Sequence, residues 1–147
     1  MQLTIPEILK QVTLAPTKEE KVAVIKKYDN PVLMAMLQLN FNKNLHFDLP
    51  EGSPPFKRNT LPIGLTDSNL YNEFRRLYLV IKDHPKRPPH MKKLQVENIF
   101  IQILESCHET EADLLIQVKD RQLSKVYKGL TEAIVREAYP TILPEKA

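Results

Sequence analysis

Lys82, Lys86, Arg87, Lys92 and Lys93 fall within one twelve-residue stretch that also holds His84, His90 and a single acid, Asp83. Clustered cations of this kind recruit phosphates or an acidic protein face; the ordinary alternative is a solvated loop between two helices. Arg75 and Arg76, just upstream, would extend the patch. Antiparallel packing of helices ending near Lys82 and starting near Met91 would project Lys86, Arg87, Lys92 and Lys93 from one end of the domain. A second basic pair, Lys57 and Arg58, follows Phe56, and an aromatic beside cations permits base stacking. No helix-turn-helix, zinc-finger or RRM signature accompanies these residues.

Other chemistry is thinly represented. His46, His84, His90, Cys107 and His108 are the soft metal-ligand candidates, and none forms a recognised ligand pair. No metal or cofactor is expected. Cys107 has His108 beside it, but neighbours on a helix point about 100° apart and do not make a dyad. Cys107 also completes an apolar stripe, which marks it as a core residue. The carboxylate pairs Glu105/Glu109, Glu109/Asp113 and Glu19/Glu20 read as solvated helix faces or as acids complementing helix dipoles. Gly52, Gly64 and Gly129 are isolated, so neither a G-x-G-x-x-G loop nor a P-loop can form. With no assembled catalytic set, a protein that is not an enzyme is expected.

A third feature is Leu49-Pro50-Glu51-Gly52-Ser53-Pro54-Pro55-Phe56. Such a segment can present a preorganised edge to a protein groove, with Pro50, Pro54, Pro55, Phe56, Lys57 and Arg58 as the contacting residues. It can equally fold over its own domain with Phe47 and Phe56 as anchors.

The elements that must position these groups are helices with explicit start signals. Thr4-Ile5-Pro6-Glu7 and Thr17-Lys18-Glu19-Glu20 are capping boxes, the first with proline in its first turn. Asn30-Pro31 opens an apolar helix over Val32–Leu39. Prolines 50, 54, 55 and 62 prohibit helix across residues 41–66, where a short strand pair near His46–Leu49 has weak support. Leu70, Phe74, Leu77, Tyr78 and Ile81 fall at helical spacing. After the basic, proline-rich connector at 82–90, Val96, Ile99, Phe100, Ile103, Leu104 and Cys107 make a stripe on a helix over Met91–Cys107, the expected central element. Further helices are predicted from Thr110 to Lys119, at Leu123–Lys128 before Gly129, and from Thr131 to Ala138 before Pro140. The expected fold is all-α: one domain over residues 1–147, a bundle of about six to eight short helices with one long, ordered, proline-rich loop.

Composition agrees. At 147 residues the chain can bury a single core, and 42% hydrophobic with 27% charged residues is ordinary for a soluble globular protein. Its net charge of +3 permits an anionic partner without demanding one. A lone cysteine rules out an intrachain disulfide framework. No apolar run reaches the ~18 residues of a membrane span, and Met1–Glu7 lacks the basic and apolar regions of a signal peptide. A soluble, cytoplasmic protein without membrane association is expected, its oligomeric state open.

Several stretches resemble a family of small proteins encoded by T-even-type tailed bacteriophages, those of marine cyanobacteria included. They are Thr4–Leu9, Leu49–Phe56, Phe100–Ser106, Tyr127-Lys128-Gly129-Leu130-Thr131 and Glu137-Ala138-Tyr139-Pro140. The stretch between Asp120 and Tyr127 is longer here than in that pattern. The resemblance implies a viral origin and a shared fold, and with a viral origin the expected cytoplasm is that of the host cell. It carries no activity. Three readings follow: a binding module for a host or phage protein of nucleic-acid metabolism, a direct nucleic-acid binder using the connector, and a minor virion component.

Overall fold

Thr4 opens the first helix as its capping box predicts. Its hydroxyl accepts the Glu7 N–H (3.4 Å) while the Glu7 carboxylate accepts the Thr4 N–H (2.9 Å). The computed structural model describes residues 3–144, so Met1 and Gln2, part of the signal-peptide reading, lie outside it. Helix α1 (Ile5–Leu14) buries Ile5, Ile8, Leu9 and Val12 on one stripe. The Lys21 ammonium then donates to the carbonyls of Val12 (3.2 Å) and Ala15 at the end of α1. Thr17 caps α2 (Lys18–Lys27) through the Glu20 N–H at 3.2 Å; of the expected box only this half is present. Asn30 caps α3 (Pro31–Phe41) through the Leu33 N–H at 2.8 Å. That helix runs past the expected Leu39, so the long loop begins at residue 42.

Residues 42–69 form a strap laid across the surface, followed by α4 (Leu70–Glu73). The expected amphipathic α-helix over Leu70–Ile81 does not continue. From Phe74 to Val80 the chain tightens into a 3-10 segment. In a three-residue turn, positions three apart eclipse, and Leu77 and Val80, both buried, then share a face. Ending the turn at Val80 leaves Ile81 extended, and it makes an isolated antiparallel bridge with Phe47. The strand pair expected near His46–Leu49 is therefore one bridge to the far end of the 3-10 segment.

Helix α5 (Lys93–Ser106) buries Val96, Phe100, Ile103 and Leu104, with Cys107 as its buried C-cap. Burial, then the charges of Glu111 and Glu73, push the Cys107 thiol up to about 12, so it is a core residue and no ready nucleophile. The chain closes with α6 (Glu109–Lys119), α7 (Leu123–Val126) and α8 (Glu132–Ala138), the last capped by Thr131 as predicted. The fold is all-α, with no named strand among the described residues.

The hub differs from expectation. Helix α5 packs on α6 and the 3-10 segment, whereas α6 packs on α1, α3, α5 and α7. An element enclosed on so many sides buries more than one stripe, here Glu111, Ala112, Leu114, Leu115 and Val118. Buried residues from all these elements join in one apolar cluster.

Candidate binding surface

The strap is moored to its own domain by the acids that the sequence assigned to solvated faces. The Glu105 carboxylate accepts the Lys57 N–H (2.7 Å), and the Glu105 carbonyl accepts from the Asn59 amide (3.2 Å). Asp113 takes both Arg58 guanidinium nitrogens at 2.8 and 2.9 Å, with Glu109 at 3.7 Å beyond. The Arg58 guanidinium is stabilised in its charged form by Asp113 first. Asp120 accepts the Gly52 N–H at 3.2 Å, and Lys119, its side chain only 2% exposed, donates to the Pro50 carbonyl at 2.8 Å. Phe56 packs against the core, and Pro54 and Pro55 line a small hollow with Glu97, Phe100 and Lys119. Residues 54–58 are thus held on their own surface, with Arg58 already matched.

Two moorings leave no sequence signature. Arg121 sits just past the end of α6 at φ +57°. The Gln122 N–H returns to the Gln117 carbonyl (2.8 Å) and the Arg121 N–H to Val118 (3.1 Å), a Schellman turn in which glycine usually holds the left-handed position. Arginine accepts that strain while its guanidinium bonds the carbonyls of Asn40 (3.2 Å), Asn42 (2.9 Å) and Leu45. At the other end of the strap, Glu111 is buried, 1% exposed, and accepts the Leu70 N–H at 3.1 Å. Burial pushes its carboxyl above the usual range; the Leu70 N–H opposes this, the Glu7 charge adds to it, and the His108 backbone opposes it. At helix position N3, Glu111 carries the same sequence mark as a solvated first-turn acid, and only the packing of α6 tells them apart.

The connector is arranged differently. The Asp48 N–H bonds the Val80 carbonyl and the Lys82 N–H bonds the His46 carbonyl, both at 2.8 Å, so the root of the strap lies beside the start of the connector. Phe47 packs edge-on to Phe100, with centroids 6.2 Å apart. Arg87 folds back onto Asp48 (2.7 Å) and the Ile81 carbonyl (3.2 Å), leaving its side chain 11% exposed. Arg76 is held by Glu73 (2.8 Å), and Arg75 donates from Nε to the Asn72 carbonyl (3.2 Å). Lys82, Lys86, Lys92 and Lys93 remain exposed, and among the described residues none has an ion-pair partner.

Two features expected to act separately converge here. Lys82 from the connector and Lys93 at the start of α5 line a cleft of about 630 Å³ together with Pro50 from the strap and with His46, Phe47, Asp48, Leu49 and Glu97. Lys92 and Lys93 stand at the N-terminus of α5, whose first turn holds no acid. Helix N-termini ordinarily carry acids that offset their positive end, so cationic charge is left uncompensated here. Sequence reasoning did not place His46, Phe47 or Glu97 at a binding surface, because the strap root and α5 come together only in the fold. Among the described residues no three histidine, cysteine or carboxylate side chains gather as a metal site, and no helix is long and apolar enough to cross a membrane.

No curated protein matches the sequence. A family profile matches residues 8–125, which include Leu49–Phe56 and Phe100–Ser106 but not Tyr127–Thr131 or Glu137–Pro140. With most of its length matched, the chain belongs to that family, a family of unknown function (DUF6433).

Proposed function

We propose that the chain is a non-enzymatic binding module that takes an acidic, partly apolar segment of another protein into the cleft between strap and connector. The observation that carries this reading is the meeting of unpaired Lys82 and Lys93 with Phe47, Leu49 and Pro50 in one cleft. Carboxylates of a partner would lie against the lysines and its aliphatic side chains against the apolar floor. Asp48 and Glu97 in the same cleft disfavour a continuous run of anionic groups such as a phosphodiester chain and leave the lysines to isolated carboxylates. The motif resemblance supports the setting: an accessory protein of a tailed bacteriophage, acting in the host cytoplasm on a host or phage protein of nucleic-acid metabolism.

A second reading, direct nucleic-acid contact by Lys82, Lys86, Lys92 and Lys93, is favoured by the uncompensated N-terminus of α5. Neutralising a few phosphates would give binding that falls steeply with salt.

Capture of partners from infected-host lysate, with and without nuclease, by wild type and by Lys82→Glu/Lys93→Glu tests both. A stoichiometric protein that survives nuclease and is lost in the charge-reversed variant, with helicity unchanged by circular dichroism, is the expected result. A nuclease-resistant partner that the variant retains removes the cleft. Loss of all partners on nuclease treatment moves the assignment to nucleic acid.

A further inference from the structure

One segment of the strap is not moored. Between the Asn59 bond to Glu105 and the 2.9 Å bond from the Ser68 N–H to the Ser106 carbonyl, the chain rises into Leu61-Pro62-Ile63-Gly64-Leu65. A turn bond from the Leu65 N–H to the Pro62 carbonyl (3.0 Å) shapes it, and Gly64 supplies the positive φ, +91°. Leu61, Ile63 and Leu65 are 45%, 48% and 67% exposed. A lone exposed leucine is commonplace, but three exposed aliphatic side chains within a five-residue knuckle mark a candidate contact site.

The molecule also holds an apolar groove of about 620 Å³ between α3, the 3-10 segment and the connector. Leu39, Leu45, Phe74, Leu77, Tyr78 and Ile81 supply its apolar lining, and Arg75 and Lys86 stand at its rim. No acid lines it. It shares no residue with the cleft of the proposed function, and none with the mooring points of the knuckle. The knuckle's own exposure shows that it does not fill the groove of its own chain.

We propose that the knuckle of one copy seats in this groove of a second copy. The two surfaces are complementary in kind, aliphatic projection against apolar recess, and in charge. Asp67, exposed and unpaired among the described residues, follows the knuckle and meets a rim that offers only the cations Arg75 and Lys86. Knuckle and groove are different patches, so each contact uses one of each. Two copies can exchange knuckles reciprocally, or copies can join head to tail into a larger ring or chain. A five-residue knuckle in one groove makes a contact of the weak, concentration-dependent class.

Sedimentation velocity over a concentration series tests the proposal with two variants confined to exposed side chains. Ile63→Asp disables the knuckle, and Arg75→Glu/Lys86→Glu disables the rim. Wild type is expected to associate as concentration rises, and each variant to weaken association by about tenfold or more. Mixing the two variants is the decisive arm. One retains a working groove and the other a working knuckle, so the mixture forms a one-to-one pair that neither makes alone. Wild type that stays monomeric up to about 1 mM, at the weak end of specific affinities, overturns the proposal. So does an Ile63→Asp chain that associates like wild type, or a mixture that recovers nothing. None of these outcomes bears on the lysine cleft, whose own variant leaves knuckle and groove intact.

Discussion

The strap at 42–69 and the connector at 82–92 look alike as sequences: both are rich in proline, both carry clustered cations, and both lack helical period. Their structures differ in what the cations meet. On the strap, Arg58 is matched by Asp113 and Glu109, Lys43 and Lys57 have no ion-pair partner among the described residues, and backbone groups are taken up by Glu105, Asp120, Lys119 and Arg121. On the connector Arg87 alone is matched, by Asp48, and Lys82, Lys86 and Lys92, with Lys93 at the start of α5, face solvent with no ion-pair partner among the described residues. Equal composition therefore conceals opposite roles. The strap is a structural element that closes over α5 and α6, and the connector is the surface where unpaired charge concentrates. What separates them is the counter-charge placed opposite each by the packing of α5 and α6.

The comparison breaks most visibly at Arg121. Its replacement by alanine leaves the carbonyls of Asn40, Asn42 and Leu45 without their shared donor and keeps the left-handed backbone without its compensation. A loss of about 3 kcal/mol in urea denaturation is expected. Replacing Lys82, Lys86, Lys92 and Lys93 together by alanine should move stability by less than about 0.5 kcal/mol, as for exposed side chains. If the lysine variant were the less stable of the two, the division of roles would be wrong.

Glu111 gives a smaller effect with a pH signature. Its ordinary value is 4.5 and burial raises it in the folded chain, so the folded state holds this proton more tightly than the unfolded state does. The resulting stability is fully present below pH 4.5 and is lost as pH rises through the raised folded value. Glu111→Gln keeps an acceptor for the Leu70 N–H without the charge. It should flatten the decline above pH 4.5 and be at least as stable as wild type at neutral pH. Glu111→Ala removes the acceptor as well and should cost about 1–2 kcal/mol. An unchanged pH slope in Glu111→Gln would assign the dependence to another group.

These residues also show how far the sequence reaches. Caps are local, so Thr4, Asn30 and Thr131 announced their helices, and the stripe from Val96 to Cys107 identified a core face. Period alone could not separate an α-helix from a 3-10 turn at Phe74–Val80, because Phe74, Leu77 and Val80 satisfy a spacing of three as well. Nor could it rank α6 above α5, since the number of neighbours around a helix is a property of the whole fold. In the candidate site the connector lysines were legible as a charge cluster. The removal of Arg87 from that cluster was not, because Asp48 lies 39 residues away in sequence and comes near only through the bridge between Phe47 and Ile81. Arg121 was hidden for a different reason: it occupies a backbone conformation that its residue type seldom adopts.

Asp48 offers the finest test, because changing it moves one cation across the line between the two regions. Asp48→Asn releases Arg87 from a pair whose side chains are 11% and 28% exposed, at a stability cost of about 1 kcal/mol or less. The two readings of the surface then part. If the lysines contact nucleic acid, a fifth cation joins them, affinity rises, and the slope of log K against log salt steepens by about 0.9 for the added phosphate contact. If the cleft takes a protein segment, the freed arginine lies outside its lining, but Asp48 lines the cleft and its charge is lost there. Affinity for an acidic segment should then rise modestly, with little change in the salt slope. One substitution, titrated at several salt concentrations, thus separates the readings by slope, and a steeper slope would transfer the cleft's role from an acidic polypeptide to a phosphate backbone.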